Sequence, residues 1–132
     1  MRVVADSHAI VWFVAGSSRL SEPAREALRA AERERALTVS IATFLDLWYV
    51  TQTTQGVTAG ELHRLEATLS ASSAVDVHPI DEAVADAFAT IDRSAVADPW
   101  DRLIMATAMT LNAPLITRDA LIRQAGVVET IW

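Results

Sequence analysis

Cysteine and lysine are both missing from the 132-residue sequence, and each absence excludes a class of protein or site. Without cysteine the chain can form neither a disulfide scaffold nor a thiolate metal site, and its composition suits a reducing compartment. Without lysine it lacks the residue with which a signalling receiver domain holds its phosphoryl group. An acidic α/β pocket in this chain would therefore belong to another class of protein.

Long apolar runs are missing as well. Spanning a membrane takes about 18 or more apolar residues in succession, whereas Asp6 and His8 interrupt the apolar start at 1–16. We therefore expect no membrane span, no signal peptide and a cytoplasmic location. Linkers and blocks of like charge are also missing, and 52% of the residues are apolar, which predicts one folded domain over residues 1–132.

The net charge of −6 by itself argues against a nucleic-acid-binding protein, which usually presents a basic surface. Every basic residue other than histidine is an arginine, however, and arginine can bind a phosphate through two hydrogen bonds. If several acids chelated divalent cations, the bound metal would reverse the local field that a phosphodiester meets.

Short apolar strands alternate with helices along the chain, which predicts an α/β fold. We expect a three-layer α/β/α sandwich around a mostly parallel sheet of about five short strands. Ile10, Val11 and Val14 should face inward, and Pro79 should mark a strand end or an edge strand. The predicted strands are 2–5, 37–40, 75–80, 114–117 and 127–131. The predicted helices are 7–15, 21–35, from Ser40 or Thr43 to 53, from 58 with Leu62, Leu65 and Leu69 on one face, 81–91, 98–112 and 119–124.

Four aspartates are predicted to meet at one edge of this sheet. Asp6 and Asp119 follow the first and fourth strands, and Asp46 lies about one turn into the helix after the second strand. Asp101 lies in the first turn of the helix that Asp98 opens. In open α/β sheets, ligands bind beyond the carboxyl ends of the strands.

Such a cluster of carboxylates repels itself, at about 1 kcal/mol for each pair 5 Å apart even in water. Bound Mg²⁺ or Mn²⁺ would offset that repulsion, because these cations prefer carboxylate and water oxygens. A bound divalent ion can also acidify water and stabilise charge on a phosphate. The predicted substrate is therefore a phosphodiester or another phosphoryl compound. A small phosphatase is a weaker fit, since the first strand does not end in an Asp-x-Asp pair.

Each acid also has a structural interpretation. Asp6, Asp98 and Asp119 could each cap the helix that follows, since aspartate is a favoured N-cap residue. Asp46 is harder to explain in this way, because it lies among apolar residues where an unpaired buried carboxylate is costly. Taken singly the acids favour structural roles, and taken together they favour a metal site.

The acids fall within four segments of characteristic composition. These are VVADSHA at 3–9, SIATFLDL at 40–47, DPWDRLIMA at 98–106 and PLITRD at 114–119. In order and length they resemble the PIN domains of the VapC type, which are ribonuclease toxins of bacterial toxin–antitoxin pairs. The resemblance covers essentially the whole chain, and its two late segments are the more specific.

This resemblance implies a site residue by residue. Asp6, Asp46, Asp101 and Asp119 would be the catalytic metal ligands for Mg²⁺ or Mn²⁺. The secondary candidates are Asp98, which would orient water or only cap its helix, and Thr117, which could hydrogen-bond within the acid cluster. The substrate-binding candidates are Arg118 and Arg102, which could meet RNA phosphates or be solvated, and His8 and Ser7, which could touch substrate or only pack.

The resemblance further implies an endoribonuclease that hydrolyses RNA with a metal-activated water and leaves a 5′-phosphate and a 3′-hydroxyl. It implies a VapB-like antitoxin and a homodimer as partners. One departure is Asp46, where the family usually has glutamate, so that the carboxylate reaches about 1.5 Å less far. The alternative is therefore a catalytically weak PIN-fold module that binds RNA or the antitoxin.

Aromatic residues are concentrated on the first and third predicted helices. We expect them in the core, or else in an exposed groove for a partner, since aromatics are enriched at interfaces. Trp100 should pack near the acids, or else stack on a base. The helical aromatics are Trp12, Phe13, Phe44, Trp48 and Tyr49.

Overall fold

The computed structural model describes residues 1–53 and 56–132. The strands of the described chain are β1 Val3–Ala5, β2 Leu37–Ser40, β3 Val75–His78, β4 Leu115–Ile116 and β5 Thr130–Ile131. Its helices are α1 Ser7–Ala15, α2 Glu22–Arg33, α3 Ile41–Thr51, α4 Ala59–Ala71, α5 Glu82–Ala89, α6 Pro99–Thr110 and α7 Ala120–Ala125. In residues 1–53 and 56–132, no helix has the length and apolar character needed to cross a membrane.

The five strands form one sheet in the order β3-β2-β1-β4-β5, and every neighbouring pair is parallel. Parallel strands need crossover connections, and here these are the helices that the alternating sequence pattern predicts. The α/β sandwich is thus confirmed, with a sheet that is parallel throughout. Pro79 directly follows β3, which is an edge strand, as predicted.

Alternate side chains of β1 enter two separate cores. Val3 and Ala5 pack with α1, α2 and α4, whereas Val4 packs with α5, α6 and α7. Because successive side chains of a strand point to opposite faces, this division shows that helices cover the sheet on both sides. Leu62, Leu65 and Leu69 lie together in the first core, as their helical spacing predicts.

Element ends differ from the predicted ones by up to three residues. β3 ends at His78 rather than at 80, and β5 begins at Thr130 rather than at 127. A strand extends only as far as the neighbouring strand with which it pairs. The last pair between β2 and β3 is Ser40 with His78. α2 and α6 end before Arg35 and Asn112, whose positive φ angles of 56° and 49° do not continue a helix.

The start of α3 resolves the choice between Ser40 and Thr43. The Ser40 side chain accepts a hydrogen bond from the Ala42 N–H at 3.1 Å, so Ser40 is the N-cap residue. The predicted inward position of Val14 is wrong, because this residue is 47% exposed. Val14 lies in the last turn of α1, where it lines an open cleft against α4.

Candidate functional site

Asp6 lies at the carboxyl end of the central strand. Its N–H donates to the Ile116 carbonyl at 3.0 Å, which continues the contact between β1 and β4. The side chain is 3% exposed. Its Oδ1 accepts from the Ser7 N–H at 2.8 Å and caps α1, while its Oδ2 accepts from the Thr117 hydroxyl at 2.6 Å. The Asp6 carboxylate is therefore fixed at both oxygens.

Thr117 joins two of the predicted metal ligands. Besides donating to Asp6, its hydroxyl accepts from the Asp119 N–H at 3.0 Å. The Asp119 carboxylate in turn accepts from the Ile122 N–H at 3.0 Å and caps α7. Thr117 is completely buried, and so its hydroxyl holds the loop after β4 against the end of β1.

The other acids come from α3 and α6. Asp98 caps α6 by accepting from the Trp100 N–H at 2.8 Å, and Asp101 lies in the first turn of that helix. Asp46 lies in the middle of α3 and accepts a hydrogen bond from the Ser7 hydroxyl at 2.6 Å. Since Ser7 directly follows Asp6, this bond holds the Asp46 side chain near the end of β1.

The pKa values show that these acids share one region. Burial, together with the negative charges of four neighbouring acids, raises the pKa of Asp101 to about 7; these acids are Asp6, Asp98, Asp46 and Asp119. The pKa of Asp46 is also raised, chiefly by burial, while its hydrogen bond from Ser7 opposes the shift. Neighbouring carboxylates disfavour each other's ionised forms. A cation among them would relieve this repulsion.

The donor chemistry of the cluster fits a hard divalent cation. Carboxylate oxygens, with the Thr117 hydroxyl beside them, are the ligand type that Mg²⁺ and Mn²⁺ prefer. In the part of the chain that the structure describes, no three acidic or histidine side chains are yet arranged to hold one ion together. The residues fit the metal in kind, and ligation would require them to draw closer.

His8 is neutral in this arrangement. Its Nε2 accepts a hydrogen bond from the Arg118 N–H at 3.1 Å, which requires an unprotonated nitrogen. Its pKa is lowered, first by burial and further by the Arg118 cation, although the Asp6 charge opposes this shift. The proton of the ring is then on Nδ1, which lies 3.8 Å from Oδ2 of Asp6.

The two candidate arginines lie in different environments. Arg102 is only 8% exposed, and its guanidinium lies 4.7 Å from the centre of the Phe88 ring. The interpretation of Arg102 as a solvated surface charge is therefore wrong, and its burial keeps it from an open RNA-binding surface. Arg118 is exposed, and its guanidinium lies 4.6 Å from the centre of the Trp12 ring.

The aromatic residues divide between core and surface. Trp12, Phe13 and Phe44 pack partly buried against the first core, but Trp48 and Tyr49 are 50% and 57% exposed. The core prediction is wrong for these two. Trp100 packs against the second core and lies 5.7 Å from the Tyr49 ring, which agrees with a packing role.

Sequence reasoning missed Trp132. Its ring lies 5.8 Å from that of His8 and 6.0 Å from that of Trp12, beside the acid cluster. No motif includes this residue, and β5 carries it to the site only through its pairing with β4. A tryptophan directly after a predicted strand was the only available signal.

A groove of about 450 Å³ opens next to the acids, between α1 and α3. It extends along α1 into a smaller, mostly apolar cleft of about 220 Å³ against α4. The groove therefore joins an apolar channel to one side of the carboxylate cluster. The lining residues that matter here are Ser7, His8, Val11, Trp12, Asp46 and Leu47.

Comparison with solved structures finds the same fold in three proteins that are each less than 25% identical to this chain. The VapBC2 complex of Rickettsia felis, bound to a DNA fragment from its promoter, aligns with a TM-score of 0.69 at 12% identity over 98% of this chain and 97% of that one. DNA-bound VapBC from Salmonella typhimurium aligns with a TM-score of 0.67 at 16% identity over 98% and 96%. FitAcB from Neisseria gonorrhoeae aligns with a TM-score of 0.64 at 21% identity over 97% and 95%.

The sequence was also compared with curated proteins and with models of protein families. No curated protein sequence is significantly similar to the chain. The family model of the PIN domain, by contrast, matches residues 3–128. That match includes all five acids and the whole sheet as far as β4. The chain therefore belongs to the PIN domain family.

Proposed function

We propose that the protein is a divalent-metal-dependent endoribonuclease, acting in the cytoplasm as the toxin of a VapBC-type toxin–antitoxin pair. The observation that carries the proposal is the convergence of five acids at the carboxyl edge of the sheet, where four of them act on the pKa of Asp101. Membership of the PIN domain family supports nuclease chemistry. We propose RNA as the substrate and Mg²⁺ or Mn²⁺ as the cation.

In this proposal Asp6, Asp46, Asp101 and Asp119 hold the cation. When bound, the cation would supply positive charge against the scissile phosphate and acidify water for its hydrolysis. Thr117 keeps the Asp6 carboxylate in place through its hydroxyl. Asp101 carries a proton in a large share of molecules near neutral pH and must release it to bind the cation. Asp98 caps α6 and holds Asp101 in position.

A VapB-like antitoxin is the proposed partner. Two of the solved structures that share this fold are VapBC proteins bound to DNA, which supports a VapB component as the partner. The groove beside Ser7, His8 and Asp46 continues along α1 into a mostly apolar cleft. A segment seated there would block the site. The proposed homodimer would use exposed apolar surface such as Trp48 and Tyr49.

The test is cleavage of total RNA by antitoxin-free protein in Mg²⁺, in Mn²⁺ and in EDTA. We expect discrete cuts with 5′-phosphate ends that EDTA abolishes. The double variant Asp6→Asn/Asp101→Asn should lose activity on the order of 10³-fold or more, because it removes two ligands that act together. Asp86→Asn/Glu26→Gln removes the same charge from exposed positions on α5 and α2 and should cleave normally.

Cyclic phosphate ends would contradict the proposed hydrolysis. Equal activity of the Asp6→Asn/Asp101→Asn variant would contradict the proposed site. If folded wild-type protein cleaves no RNA with either metal, a second candidate function takes its place: a PIN-fold module that binds RNA or an antitoxin. Two observations favour that candidate, the shorter Asp46 side chain and the lack, among the described residues, of three side chains already arranged around one ion.

A further inference from the structure

Arg118 is a cation at the edge of the acidic site. It lies between Thr117 and Asp119, and its side chain is exposed. In the described part of the chain its guanidinium forms no salt bridge with any carboxylate. It lies instead over the Trp12 ring, with 4.6 Å between the guanidinium carbon and the ring centre. The contact with Trp12, and not an ion pair with the neighbouring acids, therefore sets the position of this flexible side chain.

The Trp12 ring is itself packed against two other rings. Its ring lies 5.2 Å from the His8 ring and 6.0 Å from the Trp132 ring. His8 also accepts the backbone N–H of Arg118 at 3.1 Å. Arg118 is therefore fixed at both ends, its backbone by His8 and its guanidinium by Trp12.

The contact with Trp12 involves the charge of the guanidinium and leaves its N–H donors available. The N–H donors of arginine point outward in the plane of the group, so an aromatic ring on its face does not occupy them. They can then bind two oxygens of one phosphate. Because the side chain is already ordered, less rotamer entropy is lost on binding.

The net negative charge of the molecule makes an exposed cation beside the acids favourable for binding an anionic substrate. The chain carries a net charge of −6, and the acids next to Arg118 repel a phosphate. Arg102, the other candidate near these acids in sequence, is buried against Phe88. Arg118 thus presents an exposed positive group one residue from Asp119.

We propose that Trp12 is a positioning residue, which holds the Arg118 guanidinium beside the acid cluster as a clamp for one phosphate of the RNA strand. This inference rests on the proposed function and deepens it, since it assigns a contact to the RNA backbone. Trp12 acts through Arg118 and need not touch the RNA itself. The clamp binds the charge and shape of a phosphate group. It therefore contributes affinity for RNA without base specificity.

The test measures binding of a short fluorescent single-stranded RNA in EDTA, where no metal supports cleavage, over a range of salt concentrations. Arg118→Gln should weaken binding about tenfold, and should reduce the slope of log affinity against log salt by about 0.7, the value for one phosphate contact. Trp12→Leu should weaken binding less, and the double variant should bind no worse than Arg118→Gln alone. Trp12→Phe keeps an aromatic face and should restore binding.

Arg29→Gln is the matched control, since it removes one exposed arginine from α2. It should leave both affinity and slope unchanged. Thermal unfolding of each variant separates lost fold from lost binding, and Trp12→Met, which also removes the aromatic face, replaces Trp12→Leu in the test of coupling if that variant fails to fold.

Several outcomes would overturn the inference. Additive losses in the double variant would mean that Trp12 acts independently of Arg118, and an unchanged slope for Arg118→Gln would remove the phosphate contact. Failure of wild-type protein to bind RNA would also overturn it. The cleavage assay tests the proposed function separately. If Trp12 and Arg118 are coupled in RNA binding but the protein cleaves no RNA with any metal, the nuclease proposal is wrong and the phosphate clamp stands. If the protein cleaves RNA but the two residues are not coupled, the clamp is wrong and the nuclease proposal stands.

Discussion

At Asp6, Asp98 and Asp119 one carboxylate oxygen caps the helix that follows. In each residue Oδ1 accepts the helix-capping hydrogen bond. Oδ2 of Asp6 accepts from Thr117, and in the described chain Oδ2 of the other two accepts no hydrogen bond that caps a helix. Capping and metal binding are therefore compatible, because a carboxylate has enough lone pairs for both.

Asp46 allows a test of how the length of a ligand side chain affects RNA cleavage. Its hydrogen bond from Ser7, at 2.6 Å, fits the short side chain into the cluster. We predict that Asp46→Glu lowers RNA cleavage by about tenfold, because ligation is sensitive to displacements on the scale of one methylene. Initial rates under saturating Mg²⁺ measure the effect.

Glu26→Asp makes the opposite change of length on the exposed side of α2 and is the control. A rise in cleavage by Asp46→Glu would show that the native residue limits catalysis. That result would favour the binding-module candidate.

At the scale of elements, the packing of α5 against α6 encloses an incompletely paired cation. The Nε of Arg102 is buried without a hydrogen-bond partner in the described structure, and its guanidinium lies over Phe88. The attraction of the cation for the ring offsets only part of the cost of burying it. The helix pair would therefore tolerate an apolar side chain of similar length at this position.

We predict that Arg102→Met raises the free energy of unfolding by about 1 kcal/mol, since it removes the unpaired polar group and keeps contact with the ring. Arg102→Ala should lower it by about 2 kcal/mol, because it leaves a cavity. Urea denaturation measures both. Equal destabilisation by the two variants would show that the charge of Arg102 itself stabilises the fold.

At the scale of the whole molecule, the gathered acids make stability depend on pH. The folded protein raises the pKa of Asp101 to about 7, so it binds this proton more tightly than the unfolded chain does. Stability from this group is therefore fully present below the ordinary aspartate pKa, and is lost as pH rises through about 7. The raised pKa of Asp46 acts in the same direction.

We predict that in EDTA the Asp101→Asn variant has a higher Tm than wild type at about pH 8, by a few degrees, and an equal Tm at about pH 4. The comparison of variants is needed because the lowered pKa of His8 has the opposite effect, reducing stability as pH falls through its ordinary value. Mg²⁺ should raise the wild-type Tm at about pH 8 and leave the variant less affected. A difference in Tm that does not change with pH would contradict this assignment.

The sequence by itself determined the kinds of element, their order and the placement of the acids at one edge. These follow from local chemistry: alternation of apolar strands with helices, capping residues such as Ser40 and Asp98, and the rule that parallel strands end together. Asp6 and Asp119 could be predicted at the site because each follows a strand, and Asp101 because it lies in the first turn of a helix. The ends of the elements could not, since a strand stops where its neighbour in the sheet stops.

Only the tertiary structure decided which side chains are covered. α3 is apolar on most of its surface, so its sequence does not indicate that Trp48 and Tyr49 face solvent. The burial of Arg102 depends on α5, and the cluster of Trp12, His8, Arg118 and Trp132 depends on contacts between α1, the loop after β4 and the chain beyond β5. Burial is a property of the assembled layers, because it requires a neighbour that is distant in sequence.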